Sequence, residues 1–136
     1  MKNNRYLRKL KDIYSKNGNI KKFLRVGKNT NKIDEIYFSE VRYLKIKCWK
    51  KHIENNLRIY VIKGHIRFVI IKNKELIKID LKELSNNYIY IPKKTIFGFQ
   101  GMKRDNLLLC SLEKKHDDSE VINYTKDKFL CNLWKK

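Results

Sequence analysis

The segment with the clearest potential for chemistry runs from Leu44 to His52. If it forms one uninterrupted strand, alternation of side chains gives one face the residues Leu44, Ile46, Cys48, Lys50 and His52. That face begins apolar and ends in an amine and an imidazole. In a barrel, its polar end would point into the interior near the mouth, where small barrels bind ligands. The alternative is that the strand ends at Trp49 and that both polar side chains are solvated.

The remaining histidines are weaker candidates for a functional role. His65 follows Lys63-Gly64 in a predicted tight hairpin, where side chains are usually solvated. His116 begins the run HDDSE, in which Asp117 could orient the ring, but such pairs are common in loops. A metal site needs three or four converging ligands, and no HxH or HExxH occurs, so we predict no metal and no cofactor. The motifs GxGxxG, GxxxxGK and GxSxG are also absent, so the sequence does not support a nucleotide-binding fold or a serine hydrolase.

Short β-strands are predicted to position these residues. From Ile20 onward β-branched and aromatic residues dominate, and turn signals recur every eight to twelve residues. The candidate strands are 20–26, 33–41, 43–50, 57–63, 65–72, 75–81, 88–92 and 105–113. Many short strands without intervening helices predict an all-β sandwich or barrel, and a length of 136 residues predicts a single domain.

The two ends of the chain differ from this pattern. A helical period and a short strand both fit the N-terminal apolar residues Tyr6, Leu7, Leu10, Ile13 and Tyr14, so the choice stays open. Near the C-terminus, Ser119 could cap a helical turn. An apolar stripe at helical spacing follows, formed by Phe129, Leu130, Leu133 and Trp134. We therefore predict a short C-terminal helix.

The charge of the chain is strongly positive. Thirty-three basic residues against fourteen acidic ones give a net charge of +19. The basic residues are 26 lysines and 7 arginines, beside many isoleucines and asparagines, so biased composition accounts for much of the excess. Because proteins that bind nucleic acid rely on arginine for bidentate contacts, the scarcity of arginine argues against a nucleic-acid partner. Such a surface would still attract a small anionic substrate, including a nucleotide pyrophosphate.

Cysteine usage and apolar runs point to the cytoplasm. Apolar runs such as Leu107 to Cys110 are four residues long, whereas a membrane span needs about 20 and a signal-peptide core about 7 to 15. The odd set Cys48, Cys110 and Cys131 lacks CxxC spacing, so neither a disulfide framework nor a zinc knuckle is supported. We expect a cytoplasmic protein with no membrane partner.

Four segments in fixed order resemble the RmlC-like cupins of sugar-nucleotide metabolism. They are EIYFSEVRYLKIKCWKKH (35–52), LRIYVIKGHIRFVI (57–70), YIPKKTIFGFQG (90–101) and LLLCSLEKKHDDSEV (107–121). The chain is similar to proteins related to dTDP-4-dehydrorhamnose 3,5-epimerase and to WxcM-like sugar 3,4-ketoisomerases. The resemblance implies that residues 1–136 form one cupin domain, a double-stranded β-helix or jelly-roll barrel. It also implies a homodimer that acts on a nucleotide-linked 4-keto-6-deoxy sugar in surface-polysaccharide or lipopolysaccharide synthesis.

Several motif residues of these relatives are replaced in this chain. His52 matches the second histidine of the ketoisomerase motif R-G-x-H-x-H, while Lys50 stands at the first histidine and Lys47 at the arginine. Asn17 takes the place of the arginine in an upstream D-x-R-G segment, and Phe97 that of a histidine in P-x-G-x-x-H-G-F. The replacements leave the identity of the reaction open.

The resemblance gives each candidate residue a role. Isomerising a 4-keto sugar begins with removal of a proton next to the carbonyl, for which His52 would be the base. Lys50 would stabilise the enolate or act as a partner base. A tyrosine, Tyr60 or Tyr124, would return the proton from the opposite face, and Tyr124 is also a candidate substrate contact.

The candidates for binding the pyrophosphate are Lys47 and Arg25. Strand alternation places Lys47 opposite His52 unless the strand bulges. Two other functions stay open beside the isomerase. One is a non-catalytic cupin that binds a sugar nucleotide or a partner enzyme, and the other is a basic β-barrel that binds nucleic acid through its aromatic residues.

Overall fold

The computed structural model describes residues 5–28, 32–115 and 117–136. These residues form twelve β-strands and two single-turn 3-10 helices, Asp118–Glu120 and Lys126–Lys128. The strands are β1 (Leu7–Lys9), β2 (Lys11–Ile13), β3 (Ile20–Lys22), β4 (Glu35–Arg42), β5 (Ile46–His52), β6 (Leu57–Lys63), β7 (His65–Lys72), β8 (Glu75–Lys82), β9 (Asn87–Ile91), β10 (Ile96–Gly101), β11 (Asp105–Leu112) and β12 (Val121–Asn123).

Two five-stranded antiparallel sheets enclose the core. The first sheet has the order β1-β9-β6-β11-β4, and the second has the order β12-β5-β10-β7-β8. A separate two-stranded sheet is formed by β2 and β3. The edge strand β12 pairs with β5, so the chain entering β12 lies beside the end of β5 that carries His52. This pairing places Glu120, the residue before β12, beside His52.

The core follows the alternation that the sequence predicts. In β8, Ile77, Ile79 and Leu81 are buried, while Lys78 and Asp80 between them are exposed. Opposite them in the core lie apolar side chains of the first sheet, such as Ile59 and Leu108, both with 1% exposure or less. Burial of each such side chain stabilises the fold by about 1.5–3 kcal/mol, which fixes the register of every core strand.

The all-β prediction is confirmed, and each predicted strand overlaps an observed one. Of the N-terminal apolar residues, Leu7 and Ile13 lie in strands, and the described part of this segment contains no α-helix. The strand β10 was not predicted, because Gly98 and Gly101 interrupt the pattern of β-branched and aromatic residues that marks the other strands.

The prediction of a C-terminal helix was wrong, because the described tail contains the strand β12 and 3-10 turns but no α-helix. Side chains of the second sheet bind the backbone of the tail at the positions where a helix would form its own hydrogen bonds. Gln100 donates to the Lys135 carbonyl oxygen and accepts from its N–H at 2.8 and 2.7 Å, and Arg67 donates to the Leu133 carbonyl oxygen at 2.9 Å. The Trp134 ring packs on Trp49 at 5.5 Å between centroids, so the apolar residues cover the sheet in an irregular conformation.

In the part of the chain that the structure describes, no helix has the length and apolar character needed to cross a membrane.

Candidate functional site

A β-bulge in β5 decides which side chains face the interior. Phe97 of β10 pairs with Lys50, whereas Phe99 pairs with Lys47, so Cys48 and Trp49 together oppose the single residue Gly98. A Cβ atom at Gly98 would lie 2.5 Å from the Cys48 Cβ and 3.2 Å from the Lys47 carbonyl oxygen. The bulge therefore requires a residue without a side chain at this point of β10.

The bulge brings Lys47, Lys50 and His52 to the same inner surface. Trp49 points the other way and is fully buried beneath Phe129 and Trp134 of the C-terminal tail. The simple alternation predicted from the sequence was wrong here, since it placed Cys48 on the face of His52 and Lys47 on the other. The extra residue in the bulge shifts Lys47 to the inner face, so all three polar groups line one cavity.

This cavity lies between the two sheets and has a volume of about 90 Å³. Its apolar wall consists of Leu57, Ile59, Phe97 and Phe99. Its polar and reactive groups are Tyr37, Ser39, Lys47, Lys50, His52 and Cys110. An imidazole, a phenol and two lysines, which are themselves solvent-exposed, thus line one small and largely apolar space.

His52 is held by a buried carboxylate, that of Glu120. The His52 Nδ1 lies 3.0 Å from Oε2 and 3.2 Å from Oε1 of Glu120, and both residues are 5% exposed. Oε1 also accepts hydrogen bonds from the backbone N–H groups of Glu54 and Asn55 at 3.1 and 3.2 Å. The β5–β12 pairing places this carboxylate, because Glu120 immediately precedes β12.

The environment of Glu120 keeps its carboxyl group ionised. Burial alone would raise the pKa of Glu120, but the hydrogen bonds from His52 and from the backbone of Glu54 and Asn55 outweigh it and lower the pKa. An ionised carboxylate can only accept hydrogen bonds, so Nδ1 of His52 carries a proton and Nε2 is the unprotonated nitrogen when the ring is neutral. The Phe97 ring stacks on the imidazole at 6.3 Å between centroids, which further fixes its plane.

Tyr37 and Cys110 form a second polar pair in the cavity. They lie opposite each other on the paired strands β4 and β11. Partial burial of Tyr37, which is 37% exposed, and then interaction with Cys110 raise the pKa of its hydroxyl, so it keeps its proton at neutral pH. Burial also raises the pKa of the Cys110 thiol to about 12, which makes it a poor nucleophile.

A basic groove adjoins the cavity. The groove has a volume of about 550 Å³ and is lined by Phe38, Ser39, Glu40, Arg42, Lys45 and Lys47. Ser39 and Lys47 line both spaces, and the Lys47 Nζ donates a hydrogen bond to the Ser39 Oγ at 3.0 Å. A ligand could therefore place one end in the cavity and an anionic part among Arg42, Lys45 and Lys47.

Solved structures share this arrangement of sheets. A dTDP sugar isomerase from Desulfovibrio desulfuricans G20 matches with a TM-score of 0.76 at 24% identity, over 90% of this chain and 84% of that chain. A variant of the 3,4-ketoisomerase QdtA from Thermoanaerobacterium thermosaccharolyticum, in complex with TDP-4-keto-6-deoxyglucose, matches with a TM-score of 0.71 at 17% identity, over 85% of this chain and 84% of that chain. A dTDP-4-dehydrorhamnose 3,5-epimerase from Bacillus anthracis, with TDP and PPi bound, matches with a TM-score of 0.76 at 13% identity, over 89% of this chain and 78% of that chain.

The chain has the RmlC-like cupin fold. The resemblance seen in the sequence is thereby confirmed at the level of structure. No family model and no curated protein sequence matches the chain.

The RmlC-like cupin barrel unites some of the predicted site residues and separates others. His52, Lys50 and Lys47 share the cavity. Tyr60 lies on the other face of β6, where its hydroxyl donates to the Ser85 carbonyl oxygen at 2.9 Å and its ring contacts Phe23 at 5.7 Å. Strand alternation explains this placement, because the neighbouring Ile59 faces the cavity.

The other two predicted contacts also lie outside the cavity. Tyr124 exchanges backbone hydrogen bonds with Trp49, and its ring lies 5.9 Å from the Lys51 Nζ and 5.5 Å from Phe129 on the outer side of β5. Arg25 is exposed and lines neither the cavity nor the groove.

The remaining histidines do not join His52 in the described structure. His65 lies on β7 beside Asp80, with Nε2 and Oδ2 4.0 Å apart, and burial lowers its pKa. His116 lies outside the described residues. Within the described ranges, no group of three or more histidine, cysteine, aspartate or glutamate side chains could hold a metal ion.

Sequence reasoning missed Glu120 and Tyr37 as site residues. Glu120 belongs to the HDDSE run that drew attention only for its histidine, and 68 residues separate it from His52. Tyr37 alternates with exposed apolar residues in β4, so nothing in its local pattern distinguishes it from a surface tyrosine.

Proposed function

We propose that the chain is a sugar-nucleotide isomerase that acts on a nucleoside-diphosphate-linked 4-keto-6-deoxy sugar, as an epimerase or a ketoisomerase. The observation that carries the proposal is the buried His52–Glu120 pair at a cavity that also contains Lys47, Lys50 and Tyr37. The fold neighbours support it, since they include a ketoisomerase solved with TDP-4-keto-6-deoxyglucose and a 3,5-epimerase solved with TDP.

The first chemical step would be removal of a proton from a carbon next to the keto group. His52 accepts this proton on Nε2, because its Nδ1 proton is held by Glu120. The ionised Glu120 stabilises the imidazolium that forms, as the buried carboxylate does in other His–carboxylate pairs. The Lys50 ammonium in the same cavity stabilises the enolate oxygen.

The second step returns a proton to the sugar. Among the tyrosines considered from the sequence, neither Tyr60 nor Tyr124 lines the cavity, whereas Tyr37 does. Because the pKa of Tyr37 is raised by burial, its hydroxyl is protonated at neutral pH and available as a donor. Epimerisation would use Tyr37 opposite His52, while a ketoisomerase could return the proton through His52 itself.

The size of the cavity fixes how the substrate would lie. Its volume of about 90 Å³ is well below the roughly 300–1,000 Å³ of typical ligand sites, so it would accept the reacting part of the sugar rather than the whole nucleotide. The pyrophosphate would lie in the adjoining groove against Arg42, Lys45 and Lys47. The Phe38 ring, 64% exposed at this groove, offers a face on which the nucleotide base could stack. Arg25 remains a predicted pyrophosphate contact without a place in either space.

The wider biological setting is proposed on the same basis. We place the enzyme in the cytoplasm, in accord with the free thiols of Cys48, Cys110 and Cys131, and as a single cupin domain without a cofactor. Its pathway would be surface-polysaccharide or lipopolysaccharide synthesis, which rests on the family resemblance. A homodimer would cover the open edge of β4, where Ile36 is 56% exposed.

Proton exchange in deuterated water tests the proposal. Wild-type protein is incubated with nucleoside-diphosphate 4-keto-6-deoxyglucose substrates, and NMR detects deuterium at the carbons flanking the carbonyl. We expect label with the wild type and with His65→Ala, a histidine control outside the cavity, but none with His52→Ala or His52→Gln. If wild-type protein binds these nucleotides without exchange, the isomerase proposal is refuted and the non-catalytic cupin is favoured. Binding to single-stranded DNA with a steep salt dependence, and no exchange, would favour the nucleic-acid barrel.

A further inference from the structure

A second and much larger cavity lies away from His52. This cleft has a volume of about 830 Å³ and is formed by the end of β5, the β7–β8 hairpin, the β9–β10 turn and residues near both chain ends. It shares no lining residue with the His52 cavity or with the groove beside it. Seven cationic side chains line it, those of Arg5, Lys51, Lys72, Lys74, Lys93, Lys94 and Lys128.

The charge of this cleft exceeds what the composition of the chain explains. Seven of its sixteen lining residues are basic, against 33 of 136 in the whole chain. None of the described residues that line it is an aspartate or a glutamate. In the described part of the chain, none of the seven cationic groups forms a salt bridge with a carboxylate. The net positive charge of the cleft therefore attracts an anionic ligand.

Two tight turns hold four of these lysines in place. Asn73 and Lys74 both have positive φ, 50° and 66°, as in the two-residue type I′ turn of a hairpin. In the other turn, the Lys93 N–H donates to the Asn56 Oδ1 at 2.8 Å, and the Lys94 N–H donates to the His52 carbonyl oxygen at 2.6 Å. The backbone that carries the charges is thus fixed before any ligand binds, which reduces the entropic cost of binding.

Apart from Asn73 and Thr95, the rest of the wall is apolar. Tyr6, Pro92, Ile96 and Phe129 line the cleft together with the lysines. Phe129 is held by edge-to-face contacts with Trp49 and Tyr124, at 5.9 and 5.5 Å between ring centroids. The cleft therefore combines several cationic groups with a fixed apolar surface, a combination suited to a phosphate chain attached to a ring.

We propose that this cleft is a second ligand site that binds an oligophosphate, such as a nucleoside di- or triphosphate. Its volume falls within the range of about 300–1,000 Å³ found for sites of single small molecules, and its concave shape favours a compact ligand over an extended polymer. The phosphates lie among the lysines of the two turns and Lys128, and the ring lies against Phe129. The proposal does not depend on the isomerase activity, because no residue of the catalytic cavity takes part in it.

Calorimetric titration with inorganic tripolyphosphate at 0.15 M ionic strength tests the site, since this probe supplies the charge without the ring. The cleft variant replaces one lysine from each of three segments: Lys72→Gln, Lys93→Gln and Lys128→Gln. The matched control removes the same charge from exposed lysines elsewhere: Lys78→Gln, Lys103→Gln and Lys114→Gln. We expect the cleft variant to bind roughly 30-fold more weakly than wild type and the control less than threefold more weakly. A nucleoside triphosphate titrated in parallel should bind more tightly than tripolyphosphate if Phe129 holds the ring.

Three results would overturn the proposal. The first is a fold-loss of tripolyphosphate affinity in the cleft variant that is less than three times the fold-loss in the control variant. Such a result would show a general effect of net charge. The second is loss of binding in Arg42→Gln/Lys45→Gln, which would place the phosphates in the groove beside His52. The third is the absence of saturable tripolyphosphate binding by the wild type, including the case in which only single-stranded DNA binds.

Discussion

Replacement of Glu120 by glutamine probes the mechanism most directly, because it removes the charge of the carboxylate while keeping its shape. In the wild type, Oε1 accepts from two backbone N–H groups and Oε2 accepts from the His52 Nδ1. A glutamine has one oxygen and one NH₂ group. If its oxygen keeps the two backbone donors of Glu54 and Asn55, its NH₂ group faces Nδ1, which must then lose its proton.

That orientation moves the neutral imidazole to the wrong tautomer. The proton sits on Nε2, the nitrogen that must be free to accept a proton from the substrate. Turning the amide around would restore Nδ1–H but would leave the buried Asn55 N–H without an acceptor, at about 1–3 kcal/mol. The productive tautomer would therefore be depleted by roughly 5- to 150-fold.

Loss of the charge adds to the effect on the rate. A hydrogen bond to an ionised group contributes about 1.5–3 kcal/mol, against about 1 kcal/mol for a neutral one, so the imidazolium loses roughly tenfold in stabilisation. Both effects together predict that kcat falls by about 10²–10³, within the range of about 10²–10⁴ usual for loss of general-base catalysis. We expect the free energy of unfolding to fall by only about 1–3 kcal/mol, so that the variant stays folded.

The assay compares kcat for proton exchange with the free energy of unfolding from urea denaturation. Glu113→Gln is the matched control, because Glu113 also accepts from a side-chain amide and a guanidinium, of Asn56 and Arg58 at 3.1 Å, but does not line the cavity. Its kcat should equal that of the wild type. If folded Glu120→Gln retains kcat within tenfold of the wild type, Glu120 does not set the tautomer of His52 and the proposed mechanism is wrong.

Three further predictions follow from the same geometry. Gly98→Ala should lower both stability and kcat, because the new Cβ would lie 2.5 Å from the Cys48 Cβ and would push the bulge of β5 outward. Urea denaturation and exchange kinetics measure the two quantities, and wild-type values for both would contradict the bulge. Tyr37→Phe should keep deuterium exchange but reduce inversion of configuration about 10²-fold if the enzyme is an epimerase, measured by NMR of the product; full inversion would remove Tyr37 as the proton donor. Hydrogen bonds that outweigh burial lower the pKa of Glu120 below its usual 4.5, so its contribution to stability is present above that pH and is lost as the pH falls through the lowered value. Thermal unfolding between pH 6 and 3 should therefore show a fall in melting temperature that is smaller in Glu120→Gln than in the wild type. An equal slope of melting temperature against pH in the two proteins would contradict this.

Local sequence pattern predicted most of the strands, and the reason is physical. Strands such as β6 and β7 consist of β-branched and aromatic residues, and the hairpin between them turns at Gly64, whose φ is 89°. These are short-range signals, because each depends on residues within one strand or one turn. The N-terminal strands and the C-terminal tail depend instead on contacts with distant residues, such as that of Gln100 with Lys135.

For the candidate site, the sequence determined the pair of His52 and Lys50, because two residues apart in a strand share a face whatever the fold. It also determined the surplus of positive charge. Only the tertiary structure decided the position of that charge and the partners of the histidine. The bulge that turns Lys47 inward needs Gly98 on the neighbouring strand, and Glu120 reaches His52 only because β12 pairs with β5. Such placements arise from pairing between strands far apart in the chain, about which spacing along one strand carries no information.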